Sequence, residues 1–328
     1  MTTTDTTPIA PPFDPELVPV LEMIDGLMPR VSVAGLDAAR EVLANGIPGV
    51  PEIDLTAQGR IRVEERAVPG PVGDPDITVL ILSPAAAGTG RPAIYHTHGG
   101  GMVMGDRRSQ AELFLPYVLD LGAVVVSVEY RLAPEHPDPA PVEDCYAGLV
   151  WTAAHADELG IDPTRILIAG ASAGGGLAAG TALLARDRGG PVLTHQVLIC
   201  PMIDDRFETP SSQMLDGVGV WDRNDNRLGW EALLGDRRGG PGVSPYAAPA
   251  RATDLSGLPR TYLDCGSAET FRDETLAYAQ RLSEAGVSVD LHMWGGAFHG
   301  FDLMAAHTAL AQASAGVRDE FIRRALAG

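Results

Sequence analysis

Short runs of β-branched and aliphatic residues recur from about residue 60 onward and predict the strands of a sheet. The predicted strands cover residues 77–82, 93–97, 123–128, 165–169, 196–200, 261–263 and 289–293. After the third run, segments with apolar residues at helical spacing separate the strands, at residues 142–154, 177–186, 271–284 and 309–325. This alternation indicates an α/β protein with a mostly parallel central sheet that is flanked by helices.

Two regions depart from this alternation. Near the N-terminus, Asp14 and Pro15 predict a helix start, apolar residues follow at positions 17, 21, 24 and 28, and a second amphipathic stretch at 36–43 ends near Gly46. Residues 202–258 contain no clear strand–helix unit and are too many for a plain loop. We expect an arm with cap helices at 1–50, and a main α/β domain at 51–328 with a cap insertion at about 202–248.

The charge composition narrows the possible partners and chemistries. The 328 residues include 43 acidic and 24 basic ones, for a net charge of −19, and every basic residue is arginine. Such a charge repels phosphate backbones and anionic lipid surfaces, so we expect no nucleic-acid partner and no stable membrane association. Without lysine, Schiff-base, Ser-Lys and Walker-type mechanisms are excluded. Three widely spaced cysteines, and no signal-like or membrane-spanning run, predict a cytoplasmic protein.

A glycine-rich turn at residues 170–174 (Gly-Ala-Ser-Ala-Gly) joins a predicted strand to a predicted helix. Glycines at both ends of the turn remove side chains that would clash, so the hydroxyl of Ser172 stays exposed. The amides that follow it point towards the same space. We interpret Ser172 as a nucleophile, although a glycine-rich turn with an incidental serine has the same local pattern.

A triple glycine follows His98 at the end of the predicted strand 93–97. Consecutive glycines let backbone amides curl around an oxyanion without competition from side chains. The loop precedes the Ser172 turn by some 70 residues, the place of the oxyanion loop in lipases and esterases. We predict that the amides of Gly99, Gly100 and Ala173 form an oxyanion hole, with Gly101 as a further candidate.

Two other interpretations of these glycine-rich stretches are less favoured. Residues 174–179 fit the dinucleotide pattern Gly-x-Gly-x-x-Ala, but a serine occupies the turn and no acidic residue follows at the distance needed to bind a ribose. His96 and His98 would share one face of a strand, as in some metal sites. The further ligands of a metallohydrolase cluster are missing, so we expect neither a metal nor a cofactor.

The histidine and the acid that would complete a hydrolase site lie near the C-terminus. His299 follows the last predicted strand, whereas we interpret the other histidines as surface or core residues. Three carboxylates are candidates for the acid of this site. The strand that starts with the apolar run 261–263 continues through Asp264, and Asp273 belongs to the helix after it. Glu269 lies in the loop between them, where it can face the histidine. We favour Glu269, in the order nucleophile, acid, histidine.

With these elements placed, the chain closely resembles the bacterial hormone-sensitive-lipase family of carboxylesterases, most of all the heroin esterase type. The resemblance runs from about residue 60 to the end. Its motifs lie at 98–101 (His-Gly-Gly-Gly), 130–135 (Tyr-Arg-Leu-Ala-Pro-Glu), 170–174, 247–249 (Ala-Ala-Pro), 254–259 (Asp-Leu-Ser-Gly-Leu-Pro) and 299–301 (His-Gly-Phe). It implies an α/β-hydrolase fold with Ser172, Glu269 and His299 as the catalytic triad.

The chain departs from the family's pattern at three places. Residues 269–274 read Glu-Thr-Phe-Arg-Asp-Glu where the family usually has Asp-Pro-Leu-Arg-Asp-Glu, so the acid is one methylene longer and its backbone must lie slightly further back. Met102 stands where an aromatic residue is common, and Ala171 replaces a frequent aspartate. We predict Met102 and Trp221 as substrate-binding side chains.

The resemblance implies a carboxylesterase that hydrolyses short- to medium-chain acyl esters through an acyl-enzyme. A small-molecule ester is then the expected partner, and a homodimer is expected because relatives often pair through edge strands. An amidase, arylformamidase or lactonase with the same triad is the nearer alternative. A non-catalytic small-molecule receptor on the same scaffold is less favoured, because a receptor could lose His299, which is intact.

Overall fold

Eight strands form a single sheet in the structure, a computed structural model that describes residues 8–27, 32, 35–45 and 53–327. The strands are β1 (Ile61–Val68), β2 (Ile77–Pro84), β3 (Arg91–Thr97), β4 (Val124–Glu129), β5 (Ile161–Ala171), β6 (His195–Ile199), β7 (Arg260–Gly266) and β8 (Val289–Trp294). Their order is β1-β2-β4-β3-β5-β6-β7-β8. β2 pairs antiparallel with β1 and with β4, and all other neighbours are parallel.

Helices cover both faces of this sheet. They are α1 (Val18–Leu27), α2 (Leu36–Asn45), α3 (Leu115–Leu121), α4 (Ala140–Ala154), α5 (Ala156–Leu159), α6 (Ala173–Asp187), α7 (Ser211–Met214), α8 (Arg223–Leu234), α9 (Arg272–Glu284), α10 (Phe301–Met304) and α11 (Ala309–Ala327). Successive strand residues point to opposite faces. Tyr95 therefore packs in the core with α4 and α6, whereas its neighbour Ile94 packs with α3 and α11. The predicted α/β class is confirmed.

The hydrophobic pattern predicts the inner strands but not β1. Only the two ends of that strand, Ile61 and Val68, are buried, and its middle carries charged residues. β1 lies at the edge of the sheet, where it needs little apolar surface. The helix α3 between β3 and β4 is also not predicted.

The N-terminal segment packs onto the C-terminal part of the chain. Leu17 and Leu21 share a small apolar cluster with Phe298. The helix begins at Val18 rather than directly after Asp14, whose carboxylate instead accepts a hydrogen bond from the amide of Glu16 at 2.8 Å. The predicted helix positions 28 and 46 and the predicted domain boundary at residue 50 lie outside the described residues.

The predicted insertion at 202–258 contains α7 and α8 and contributes no strand to the sheet. Asp222 caps α8, because its carboxylate accepts hydrogen bonds from the amides of Asn224 (2.7 Å) and Asp225 (3.0 Å). The Asp225 carboxylate accepts one in return from the amide of Asp222 at 3.2 Å. This capping box fixes the backbone directly after Trp221.

No helix within the described residues combines the length and the apolar character that a bilayer-spanning segment needs.

Candidate active site

A cavity of about 390 Å³ opens at the carboxyl ends of the parallel strands. Ligands of open α/β sheets bind at this edge. The walls come from the loops after β3, β5, β6 and β8, from α1, α10 and the insertion. They include Gly101, Gln110, Ser172, Cys200, Trp221 and His299. The cavity therefore brings together residues from most of the chain's length.

The turn at residues 170–174 presents Ser172 to this cavity. β5 ends at Ala171 and α6 begins at Ala173, so Ser172 makes the turn alone, with φ 58° and ψ −124°. A Cβ on Gly174 would lie 2.1 Å from the carbonyl oxygen of Thr97, and one on Gly170 would lie 2.3 Å from that of Gly174. Both positions therefore require glycine, which is the steric condition for the strained serine between them.

His299 lies beside Ser172 in the loop after β8. Its Nε2 and Ser172 Oγ form a hydrogen bond of 2.9 Å. The ring of Phe271 stands edge-on to the imidazole, with 5.1 Å between the centroids, and the ring of Trp221 lies 6.5 Å from it. Because the aromatic rings flank the imidazole, its orientation towards the serine is restricted.

Of the three acid candidates, the structure brings Glu269 to His299. Glu269 Oε1 lies 3.6 Å from His299 Nδ1, and neither atom has a hydrogen-bond partner among the described residues. The other oxygen, Oε2, accepts a hydrogen bond from the amide of Gly266 at 3.2 Å. Both side chains are buried. A buried carboxylate that faces an imidazole in this way can stabilise the protonated imidazolium form of that ring.

Asp264 and Asp273 have other partners. The Asp264 carboxylate accepts from the Tyr262 hydroxyl at 2.8 Å and pairs with Arg318 at 3.4 Å. Burial raises the pKa of Asp264 to about 6, although the charge of Arg318 acts in the opposite direction. Asp273 is the second residue of α9, where its carboxylate accepts a hydrogen bond from Arg272 Nε at 2.7 Å.

The glycine loop after β3 lies against the cavity, but its amides differ in availability. The amide of Gly99, a predicted oxyanion donor, instead donates to Gln110 Oε1 at 2.8 Å. Within the described part of the chain, the amides of Gly100 and Gly101 donate to no protein acceptor. Ala173 is the first residue of α6, where an amide has no acceptor within its own helix.

The two predicted substrate-binding side chains occupy different places. Trp221 lines the cavity, and its indole covers Gly101, where an added Cβ would meet the ring at 2.2 Å. Met102 does not line the cavity: its side chain is fully buried, with its methyl group facing Gly176. The prediction for Met102 is therefore wrong, because its backbone turns through φ 68° and directs the side chain into the core. Met104 lines the cavity instead.

The histidine pair considered as a metal site is engaged elsewhere. His96 Nδ1 hydrogen-bonds to Ser127 Oγ, and His98 Nδ1 donates to the carbonyl oxygen of Gly99, both at 2.8 Å. Burial lowers the pKa of His96 to about 3 and lowers that of His98. Both imidazoles therefore stay neutral at physiological pH.

Among the described residues, one group of three side chains has metal-ligating atoms close enough to share an ion. It consists of Cys200, Glu269 and His299, whose ligand atoms lie within 4.8 Å of one another. This group includes the Glu269–His299 pair itself.

Several residues that line the cavity were not predicted from the sequence, among them Gln110 and Asp302. Gln110 lies 11 residues after Gly99, and nothing in the local pattern signals that the chain folds back there. Asp302 follows the His-Gly-Phe motif and pairs with Arg318 at 2.6 Å. Its proximity to the motif was the one available signal.

The fold and this site together define an α/β hydrolase with a serine–histidine centre. A family model described as an alpha/beta hydrolase fold matches residues 94–303. Carboxylesterase NlhH of Mycobacterium tuberculosis is 36% identical over 291 residues, which cover 88% of this chain and 89% of the relative. Esterase LipI of the same organism is 34% identical over 301 residues, with 89% and 88% coverage.

Solved structures agree with these relatives. A bacterial heroin esterase is 41% identical, covers 96% of this chain and 98% of its own, and superposes with a TM-score of 0.87. The chain belongs to the hormone-sensitive-lipase-like family of α/β hydrolases, and it is a carboxylic ester hydrolase.

Proposed function

We propose that the enzyme hydrolyses esters through Ser172, His299 and Glu269, with an acyl-enzyme intermediate. The observation that carries this proposal is the 2.9 Å hydrogen bond between Ser172 Oγ and His299 Nε2 beside the cavity. In this geometry His299 takes the hydroxyl proton while Ser172 Oγ attacks the ester carbonyl carbon. The carboxylate of Glu269, which faces Nδ1, stabilises the imidazolium that forms.

The negative charge that develops on the carbonyl oxygen needs preorganised donors. We assign this role to the amides of Gly100, Gly101 and Ala173, because the amide of Gly99 donates to Gln110. The bond to the alcohol then breaks as His299 returns the proton to the leaving oxygen. Water, deprotonated by the same imidazole, attacks the acyl-enzyme and releases the acid.

The cavity favours short and medium acyl chains. Its volume of about 390 Å³ lies near the lower end of the range of small-molecule pockets, roughly 300–1,000 Å³. Trp221 closes the wall above Gly101, and Leu303 and Met304 from α10 add apolar surface. We therefore propose acyl chains of about two to eight carbons as the preferred substrates.

Hydrolysis of a series of p-nitrophenyl esters tests this proposal. The rate should peak within about two to eight acyl carbons, and Ser172→Ala should lower kcat by at least about 10⁴-fold. Ser212→Ala is the matched control, because Ser212 is buried but donates to the Thr209 carbonyl outside the cavity. A rate that rises towards long chains would contradict the substrate range, and faster hydrolysis of a matched anilide or lactone would favour the amidase, arylformamidase or lactonase alternative.

We also propose a cytoplasmic location, since the three cysteines are free and buried, as expected in a reducing compartment.

A homodimer is proposed through β8, the edge strand on which Leu291 and Met293 are 37% and 51% exposed. Light scattering tests this assembly.

A further inference from the structure

Thr270 directly follows Glu269 in the loop between β7 and α9, residues 267–271, which we call the acid loop. Through its side chain and its backbone, Thr270 links this loop to the insertion. Its side chain is fully buried. The hydroxyl donates a hydrogen bond to the carbonyl oxygen of Trp221 at 2.8 Å. The carbonyl oxygen of Thr270 accepts one from Ser211 Oγ at 2.9 Å. Since Ser211 and Trp221 both belong to the insertion, Thr270 joins two segments that are about 50 residues apart in sequence.

Trp221, whose carbonyl oxygen accepts the hydrogen bond from Thr270, is part of the cavity wall. The indole of Trp221 covers Gly101, and its ring lies 6.5 Å from that of His299. The backbone of Trp221 is fixed on its other side by the Asp222 capping box of α8. The hydroxyl of Thr270 therefore anchors the acid loop to a backbone position that is itself held rigidly.

The carboxylate of Glu269 needs such an anchor. The hydrogen bond that its Oε2 accepts from the amide of Gly266 is long at 3.2 Å, and Oε1 faces His299 Nδ1 across 3.6 Å. The position of this carboxylate thus depends on the backbone that carries it. A shift of about 1 Å in such a group can lower the rate by about 10²-fold.

We propose that Thr270 is a positioning residue for the Glu269–His299 pair, acting through its hydrogen bond to the Trp221 carbonyl. The inference rests on the proposed function, in which Glu269 is the acid. Thr270 does not touch substrate in this role. It holds the loop at the distance from His299 that the longer glutamate side chain requires.

Thr270→Val tests this inference, because valine keeps the shape of threonine and removes the hydroxyl. The variant leaves the Trp221 carbonyl oxygen without its donor inside the protein. We expect kcat to fall about tenfold, with a smaller change in KM. Thr270→Ser should restore most of the lost kcat, because it returns the hydroxyl.

Thr152→Val is the matched control. Thr152 is equally buried and donates to the Gly148 carbonyl at 2.7 Å, but it lies in α4, away from the cavity. Both valine variants should lower the melting temperature, and only Thr270→Val should lower kcat. If the two variants lost stability alike and both kept full kcat, Thr270 would be merely structural and the proposal would be overturned.

A double-mutant cycle with Glu269→Gln separates this inference from the proposed function. If Thr270 acts through Glu269, adding Thr270→Val to Glu269→Gln should cause little further loss of kcat. Full additivity would overturn the positioning role. If Glu269→Gln alone kept wild-type activity, the acid assignment would fail instead, whatever the effect of Thr270→Val.

Discussion

The glycine loop at 98–101 and the turn at 170–174 form one side of the site, and the loops that carry Glu269 and His299 form the other. The first side is set by backbone contacts so close that a Cβ on Gly100 would lie 2.0 Å from the Met104 carbonyl oxygen. The second side is set by buried polar side chains and their partners. The first side should therefore tolerate few changes in shape, and the second few changes in charge or hydrogen bonding.

The largest effect should come from the second side, where two buried carboxylates can be compared. Glu269→Gln and Asp264→Asn are both nearly isosteric. We expect Glu269→Gln to lower kcat by about 10²–10⁴-fold, because an amide cannot stabilise the imidazolium as a carboxylate does. Asp264→Asn should stay within about threefold of wild type, because its partners are Tyr262 and Arg318. Steady-state ester kinetics measure both effects. If Asp264→Asn lost more kcat than Glu269→Gln, Asp264 and not Glu269 would be the acid.

A smaller effect should come from the first side, through the side chain of Gln110. Gln110→Ala removes the acceptor that holds the Gly99 amide. We expect kcat to fall about tenfold, less than the loss of a direct oxyanion donor. Gln213→Ala serves as the control, because Gln213 is exposed and bonds to the Phe207 carbonyl outside the cavity. Unchanged kcat in Gln110→Ala would mean that the glycine loop keeps its shape without this contact.

The smallest effect concerns stability and again involves Asp264. Its pKa is raised to about 6 in the folded protein, from the ordinary aspartate value of 3.8. Between these values the folded state holds a proton that the unfolded state releases, so the free energy of unfolding should fall as pH rises from about 4 to about 6. Denaturant titrations should show this fall, of order 1 kcal/mol, in the wild type and less of it in Asp264→Asn. An equal pH dependence in both proteins would contradict the raised pKa.

Most of the sheet could be predicted because the inner parallel strands are buried on both faces and read as continuous apolar runs. β1 could not, since an edge strand with charged residues in its middle has no such run. Within the site, the glycines predicted the turn at 170–174 and the oxyanion loop at 98–101. Which methionine faces the cavity could not be predicted, because it depends on the φ of 68° at Met102.

The sequence by itself determined the strand–turn–helix around Ser172, the glycine loop and the histidine after the last strand, because these features depend on local backbone conformation and on chain order. Only the tertiary structure decided which carboxylate faces His299 and which amide remains available. Asp264 finds its counter-charge at Arg318, 54 residues away, and the amide of Gly99 meets Gln110 only after the chain folds back. Such partners are set by long-range packing, which no local pattern encodes.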